Sequence, residues 1–169
     1  MLLRRIARPL FTSWFVAEAV DAIRHPSVHA TSAREGAAAL RGCVGRLPRV
    51  GDALDDVLTS VTDRQLGVVV QAHGMATVAA AGALALGRAP RTAGLALALL
   101  TVPVAVAALP AGKPFTGAPD EAEAARRRKF WTSLTALGGA LLAAGDLAGR
   151  PGMAWRVAAA REARARDAS

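Results

Sequence analysis

The chain has 169 residues, of which 53% are hydrophobic and 20% charged, and it carries a formal net charge of +8. Ala, Leu, Val and Gly dominate while tyrosine is absent, a composition typical of membrane proteins rather than of soluble enzymes. The positive charge alone would favour nucleic acid as a partner. However, the charges flank the long apolar stretches, and no helix-turn-helix, aromatic platform or zinc pattern accompanies them. We therefore expect no nucleic-acid binding and predict contacts with membrane lipids.

The first segment, MLLRRIARP, begins like a signal peptide because basic residues precede apolar ones. Glu18 and Asp21 interrupt the apolar run, and no small-residue cleavage site follows it. We therefore interpret residues 6–23 as a retained first transmembrane helix. Because this segment also contains Arg8, its alternative interpretation is an interfacial amphipathic helix.

Residues 24–65 form a long polar loop between the first and second predicted spans. Within it, EGAAALRGCVGRL and GDALDDVLTSV have the pattern of two short helices broken at Pro48. We predict that both lie on the membrane surface.

Three further segments are long and apolar enough to cross a bilayer, which takes about 20 residues of helix. These predicted spans are residues 66–87, 92–109 and 130–149. The tetrapeptide RAPR predicts a tight turn that makes the second and third spans antiparallel neighbours. The loop 110–129 opens with turn residues and continues as DEAEAARRRKF, a helical run that leads into the fourth span.

The predicted fold is therefore all-α: a polytopic, four-transmembrane-helix bundle with short interfacial helices in its first long loop and a basic tail at 150–169. Small residues recur in the spans, as in AAAGA and GGALLAA. In lipid, helices associate through close backbone packing, so these stretches are predicted contact sites.

Four spans place both chain ends on one side of the membrane. Lys and Arg number 10 on that side and 11 on the other, so the count alone does not decide the orientation. The segments on the side of the termini are short or close to span ends, which favours the cytoplasm for both termini, whereas the RRRK run argues the other way. We predict a multi-pass protein of the cytoplasmic membrane with cytoplasmic N- and C-termini.

Polar residues of the first two spans are predicted to share one level near the outer surface. They are Glu18, Asp21, Arg24, Gln71 and His73. Asp21 can pair with Arg24 or His25, which follow it on the same helix face. Ionisable groups inside a membrane are costly and are by default functional. Two interpretations stay open: a structural network that joins the two helices, and a quinone headgroup pocket or proton path with His73 as the donor.

A second polar group is predicted at the inner surface. Asp146 precedes Arg150 by one helical turn, and Arg8 and Arg88 lie at a similar depth. We interpret these residues as an ion pair with a snorkelling arginine. The three tryptophans are interpreted as interface anchors.

Signatures of autonomous catalysis are missing from the sequence: it has no HExxH, GxSxG, Walker or GxGxxG motif. Cys43 is the only cysteine, so neither an intrachain disulfide nor a cysteine-based metal site can form. We predict no catalytic residues, no metal site and no autonomous enzyme activity.

Four stretches together resemble the actinobacterial branch of the DoxX-like membrane family: RRIARPLFTSWFVAEAVDAIRHP, HGMATVAAAGALALGRAPRTAGLALALL, DEAEAARRRKFWTSLTALGGALLAAGD and AGRPGMAWR. The resemblance implies a four-helix protein of the cytoplasmic membrane linked to redox chemistry, since relatives include subunits of quinone-reducing thiosulfate oxidation and proteins of oxidative-stress protection. Two features depart from the family pattern: Ala17 and Glu18 stand before Asp21, where small residues are expected, and His73 replaces an expected Asn.

Three hypotheses of function follow. The first is a non-catalytic membrane subunit or scaffold of a redox or oxidative-stress complex, in which the loop 24–65 recruits a soluble redox protein or another membrane partner. The alternative is a quinone-linked oxidoreductase subunit that uses Glu18, Asp21 and His73, with quinone as its cofactor. The third is a small-molecule or ion transporter that acts as a homo-oligomer.

Overall fold

The computed structural model describes residues 2–44, 60–110, 120–145 and 164. Five helices make up the regular structure of these residues, and no strand occurs among them: α1 (Leu2–Arg24), α2 (Pro26–Val44), α3 (Asp63–Ala85), α4 (Pro90–Ala107) and α5 (Glu121–Gly145). The predicted all-α fold is therefore confirmed for the described part of the chain.

The boundary between α1 and α2 is set by a proline. Pro26 disfavours helical geometry at His25, so α1 ends at Arg24 and a new helix begins with proline in its first position. The two helices are therefore separated by a single residue, which keeps the start of α2 close to the end of α1.

Local signals also fix the ends of α3. Thr62 caps its N-terminus: the Gln65 N–H donates to the Thr62 hydroxyl (3.3 Å) and the Thr62 N–H donates to the Gln65 side chain (2.9 Å). At the other end, Gly87 adopts a φ of +69°, and the Arg88 N–H donates to the Ala83 carbonyl at 2.8 Å. This C-terminal motif favours glycine and turns the chain into α4 within four residues.

Packing joins α4 most extensively to α5, and α1 most extensively to α3. The central contact between these pairs is α3 on α4, and α2 packs against both α3 and α4. Of the 13 hydrophobic residues that are buried in the described part of the chain, 10 are alanine. The largest side chains of the core are Phe15, Leu84 and Leu97.

Glycines bring several helices into direct backbone contact. A Cβ at Gly94 would lie 2.7 Å from the Ala144 backbone nitrogen, and a Cβ at Gly74 would lie 3.0 Å from the Ala19 carbonyl oxygen. A Cβ at Gly36 would overlap the backbone of Ala107. Close approach of α2 to α4, of α3 to α1 and of α4 to α5 therefore depends on the missing side chains.

Large apolar side chains lie on the outside of this arrangement. Fourteen of them are exposed in the described part of the chain, and all but Leu86 lie on a helix, with at least one on each of the five; they include Leu10 (68%), Leu99 (65%) and Leu142 (78%). Two helices, α3 and α4, are long and apolar enough to cross a membrane. Bulky apolar residues fill the core of a typical soluble protein, whereas alanine dominates the buried residues here.

The structure changes one prediction about the first long loop. Residues 26–44 form one continuous helix that packs on α3 and α4, rather than a polar loop that leads into a short surface helix at EGAAALRGCVGRL. Small residues such as Gly36 and Ala30 allow this close packing. The second predicted short helix lies almost entirely outside the described residues. The predicted helical run before the fourth span is confirmed, since α5 starts at Glu121.

We expect Gly36→Ala to destabilise the protein by about 1–3 kcal/mol because the new methyl group overlaps the Ala107 backbone. Gly82→Ala is the matched control, since its Cβ would meet nothing within 4 Å. Thermal unfolding in detergent, followed by circular dichroism, measures both. Equal unfolding temperatures for the two variants would contradict the packing of α2 on α4.

Candidate functional site: a cavity between the helices

A cavity of about 520 Å³ lies between the helices and is lined by residues of all five. Its lining comes from the second halves of α1 and α4, the first halves of α3 and α5, and residues 29–35 of α2. The cavity therefore occupies one end of the bundle, with α2 along its edge. Its size is within the usual range of small-molecule sites.

Most of the cavity wall is apolar. Aromatic and aliphatic side chains line it, including Trp14, Phe15, Val70, Leu100 and Val104. Its hydroxyl groups are engaged within their own helices: Thr77 donates to the His73 carbonyl at 2.9 Å and Thr101 to the Leu97 carbonyl at 2.6 Å. Each of these two hydroxyls therefore donates its proton to a backbone carbonyl rather than to a basic side chain.

Two ion pairs between helices face the cavity. Lys129 Nζ of α5 lies 3.3 Å from Glu18 Oε2 of α1, and both side chains are about 40% exposed. One turn earlier on α5, the Arg126 guanidinium pairs with the Glu35 carboxylate of α2. Since Arg126 and Lys129 are three residues apart, they lie on the same face of α5.

His73 of α3 also lines the cavity, and its side chain is half-buried. Within the described residues its imidazole has no hydrogen-bond or ion-pair partner. A Cβ at the next residue, Gly74, would contact the carbonyl of Ala19, the residue that follows Glu18. His73 and Glu18 therefore lie at the same level of the bundle.

A second polar cluster connects the start of α2 to the end of α1. The Asp21 carboxylate accepts hydrogen bonds from His25 Nδ1 (3.0 Å) and His29 Nε2 (2.9 Å). Asp21 and His25 are exposed, whereas His29 is only 17% exposed and lines the cavity. In the described part of the chain, no three potential metal ligands are arranged to hold a metal ion.

The predicted outer polar residues separate into two groups. Glu18 and His73 line the cavity, and Asp21 reaches it through His29. Gln71 instead donates to the Ile23 carbonyl at 3.3 Å and ties α3 to α1, while Arg24 is exposed and lies outside the cavity.

The predicted inner ion pair cannot be placed as a whole, since Asp146 and Arg150 lie outside the described residues. Arg8 is half-buried and lines a smaller cavity beside Phe11 and Gly139. Arg88 is exposed.

Four ionisable residues of the cavity were not predicted as site residues: His29, Glu35, Arg126 and Lys129. All four lie in the segments 24–65 and 110–129, which were interpreted as connections between spans: Glu35 in a predicted surface helix, and Arg126 and Lys129 in the helical run before the fourth span. The three-residue spacing of Arg126 and Lys129 on a predicted helix was the available signal.

The chain was compared with protein-family models, with curated proteins and with solved structures, and none matched. The resemblance to the DoxX-like family therefore stays a prediction.

Exchanging the charges of the α2–α5 ion pair tests whether the two helices meet as described. We expect Glu35→Arg and Arg126→Glu each to destabilise the protein by up to about 1 kcal/mol, since the pair is partly exposed, and the double variant to recover the loss. Thermal unfolding of the four proteins gives the coupling. Arg64→Glu, at an exposed position of α3, is the control for charge reversal. Additive losses in the double variant would contradict the contact.

Proposed function

We propose that this chain is an integral membrane protein of four spans whose cavity binds a small amphiphilic molecule. The observation that carries the membrane part is the reversed distribution of side chains: alanine dominates the buried residues, while large apolar side chains are exposed on every helix. In water, each exposed Å² of apolar surface costs about 25 cal/mol relative to burial. In lipid this cost disappears.

The polar residues of α1 and α5 are compatible with spanning. Glu18 and Lys129 face the cavity and each other, so their charges are paired inside the bundle. α1 packs along α3 and α5 packs along α4, the two helices that are long and apolar enough to cross a membrane. At 1.5 Å per residue, 23 and 25 residues exceed the roughly 30 Å of a bilayer core.

In this topology the cavity and α2 lie at the outer end of the bundle, and both termini are cytoplasmic. Arg34 of α2 pairs with Asp63 at the start of α3 (2.8 Å), and Gly36 contacts Ala107 at the end of α4. Both contacts lie at the end of the bundle where the cavity is found. We propose that α2 covers this end, in the outer interface of the cytoplasmic membrane.

The cavity favours the quinone-linked hypothesis over the scaffold hypothesis. The scaffold role was inferred from a long polar loop, but residues 26–44 of that loop form a helix packed into the bundle. The cavity instead offers an apolar wall and the unpaired imidazole of His73, which can donate to or accept from a carbonyl or hydroxyl oxygen. A quinone combines an apolar ring with such oxygens and is the first compound class to test.

Membrane integration is tested by washing cell membranes with alkaline carbonate, which removes peripheral proteins. We expect the chain to stay in the membrane pellet and to enter solution only with detergent, because its outer surface is apolar. Release by carbonate alone would contradict the four-span proposal.

Ligand binding is tested by tryptophan fluorescence, since Trp14 lines the cavity and quinones quench indole emission. In detergent we expect a short-chain quinone to quench a variant that retains Trp14 as its only tryptophan. His73→Ala removes one hydrogen bond and is expected to weaken binding about tenfold.

His25→Ala is the matched control for this titration, because His25 is exposed and lies outside the cavity. Its affinity is expected to equal that of the parent protein. Quenching that is absent, or that is unchanged in His73→Ala, would exclude a quinone site at this position.

A further inference from the structure

The charged side chains that face the cavity cancel one another. Glu18 and Glu35 carry two negative charges, and Lys129 and Arg126 carry two positive charges, with each carboxylate paired to a cation on another helix. His29 is bonded to Asp21. Among the ionisable side chains that line the cavity, only the His73 imidazole has no partner within the described residues.

We infer that the cavity selects amphiphiles with an uncharged head group, and that the Glu18–Lys129 pair determines this selectivity. The inference rests on the proposed binding function and adds the chemical class of the head group. It also assigns a specificity role to Lys129, which lies in α5 directly before the fourth predicted span.

A charged head group is disfavoured for two reasons. It would bring a charge into a partly desolvated site, and it could gain a counterion only by breaking an existing ion pair or, for an anion, by protonation of His73. An uncharged carbonyl or hydroxyl head group avoids both costs, because it can bond to the His73 imidazole while the ion pairs stay intact.

The Glu18–Lys129 pair is assigned this role because of its position. Gly74, next to His73, contacts the carbonyl of Ala19, next to Glu18, so the pair and the imidazole lie at one level. A head group held by His73 would therefore lie in the part of the cavity that this pair lines. The Glu35–Arg126 pair involves α2, at the edge of the cavity.

The test compares three probes with one chain length and a bromine at the chain end, which quenches nearby tryptophan: bromoundecanol, bromoundecyl sulfate and bromoundecyltrimethylammonium. The protein is placed in phosphatidylcholine nanodiscs, with Trp131 and Trp155 replaced by Phe so that only Trp14 reports. A second protein retains only Trp131, which is 45% exposed and lies outside the cavity. Its quenching corrects for the amount of each probe in the lipid.

We expect the alcohol to quench Trp14 at a probe concentration in the lipid that is about tenfold lower than the concentration needed of either charged probe. Glu18→Gln leaves Lys129 unpaired and should shift the preference about tenfold toward the sulfate. Lys129→Met leaves Glu18 unpaired and should shift it toward the ammonium probe instead. The double variant, in which both charges are absent, should again prefer the alcohol.

Equal binding of the three probes by the parent protein would overturn the inference, as would an unchanged preference in both single variants. If one single variant does not fold, the other decides, because the two predicted shifts have opposite signs. No quenching of Trp14 by any probe, with Trp131 still quenched, would overturn the proposed binding function itself. Failure of the selectivity and failure of the site are thus distinguishable.

Discussion

The fold depends on close contact between helix backbones at positions that have little or no side chain. Gly36 against Ala107, Gly74 against Ala19 and Gly94 against Ala144 each join a different pair of helices. In lipid, apolar side chains gain nothing by leaving the solvent for the protein interior, so attraction between helices comes from short contacts of this kind. In the proposed lipid setting, this dependence on close backbone contacts explains both the alanine-rich core and the exposed leucines and valines.

The cavity lies between helices that pack unevenly against one another. Packing is most extensive between α1 and α3 and between α4 and α5, whereas α1 and α2 contact each other little. At this end of the bundle, the gap is bridged by longer side chains, as in the pairs Glu18–Lys129 and Glu35–Arg126. The same ion pairs hold the helices together and line the space between them. Binding and stability are therefore coupled, because removal of one charge leaves its partner uncompensated in a partly desolvated site.

Sequence patterns predicted the positions of the helices well, and the site only in part. Apolar length located α3 and α4, and the RAPR turn and the charged lead into α5 agree with the structure. Residues 26–34 were predicted as loop and residues 35–44 as part of a short surface helix, because their polar side chains conceal one continuous helix that packs through Gly36 and Ala30. Glu18 and His73 stood out as ionisable groups in apolar segments. Lys129 did not, since its role depends on a contact between α1 and α5, 111 residues apart in sequence, that no local pattern encodes.

Electron paramagnetic resonance in lipid nanodiscs tests most directly whether lipid or water surrounds the exposed leucines. With Cys43 replaced by alanine, a nitroxide at position 99 or 142 should collide often with oxygen and rarely with a water-soluble nickel chelate. Leu99 and Leu142 are 65% and 78% exposed, and lipid is expected to cover them. A nitroxide at the exposed, polar position Arg64 is the aqueous reference. Nickel accessibility at positions 99 and 142 as high as at position 64 would contradict the account, because those side chains would then face water.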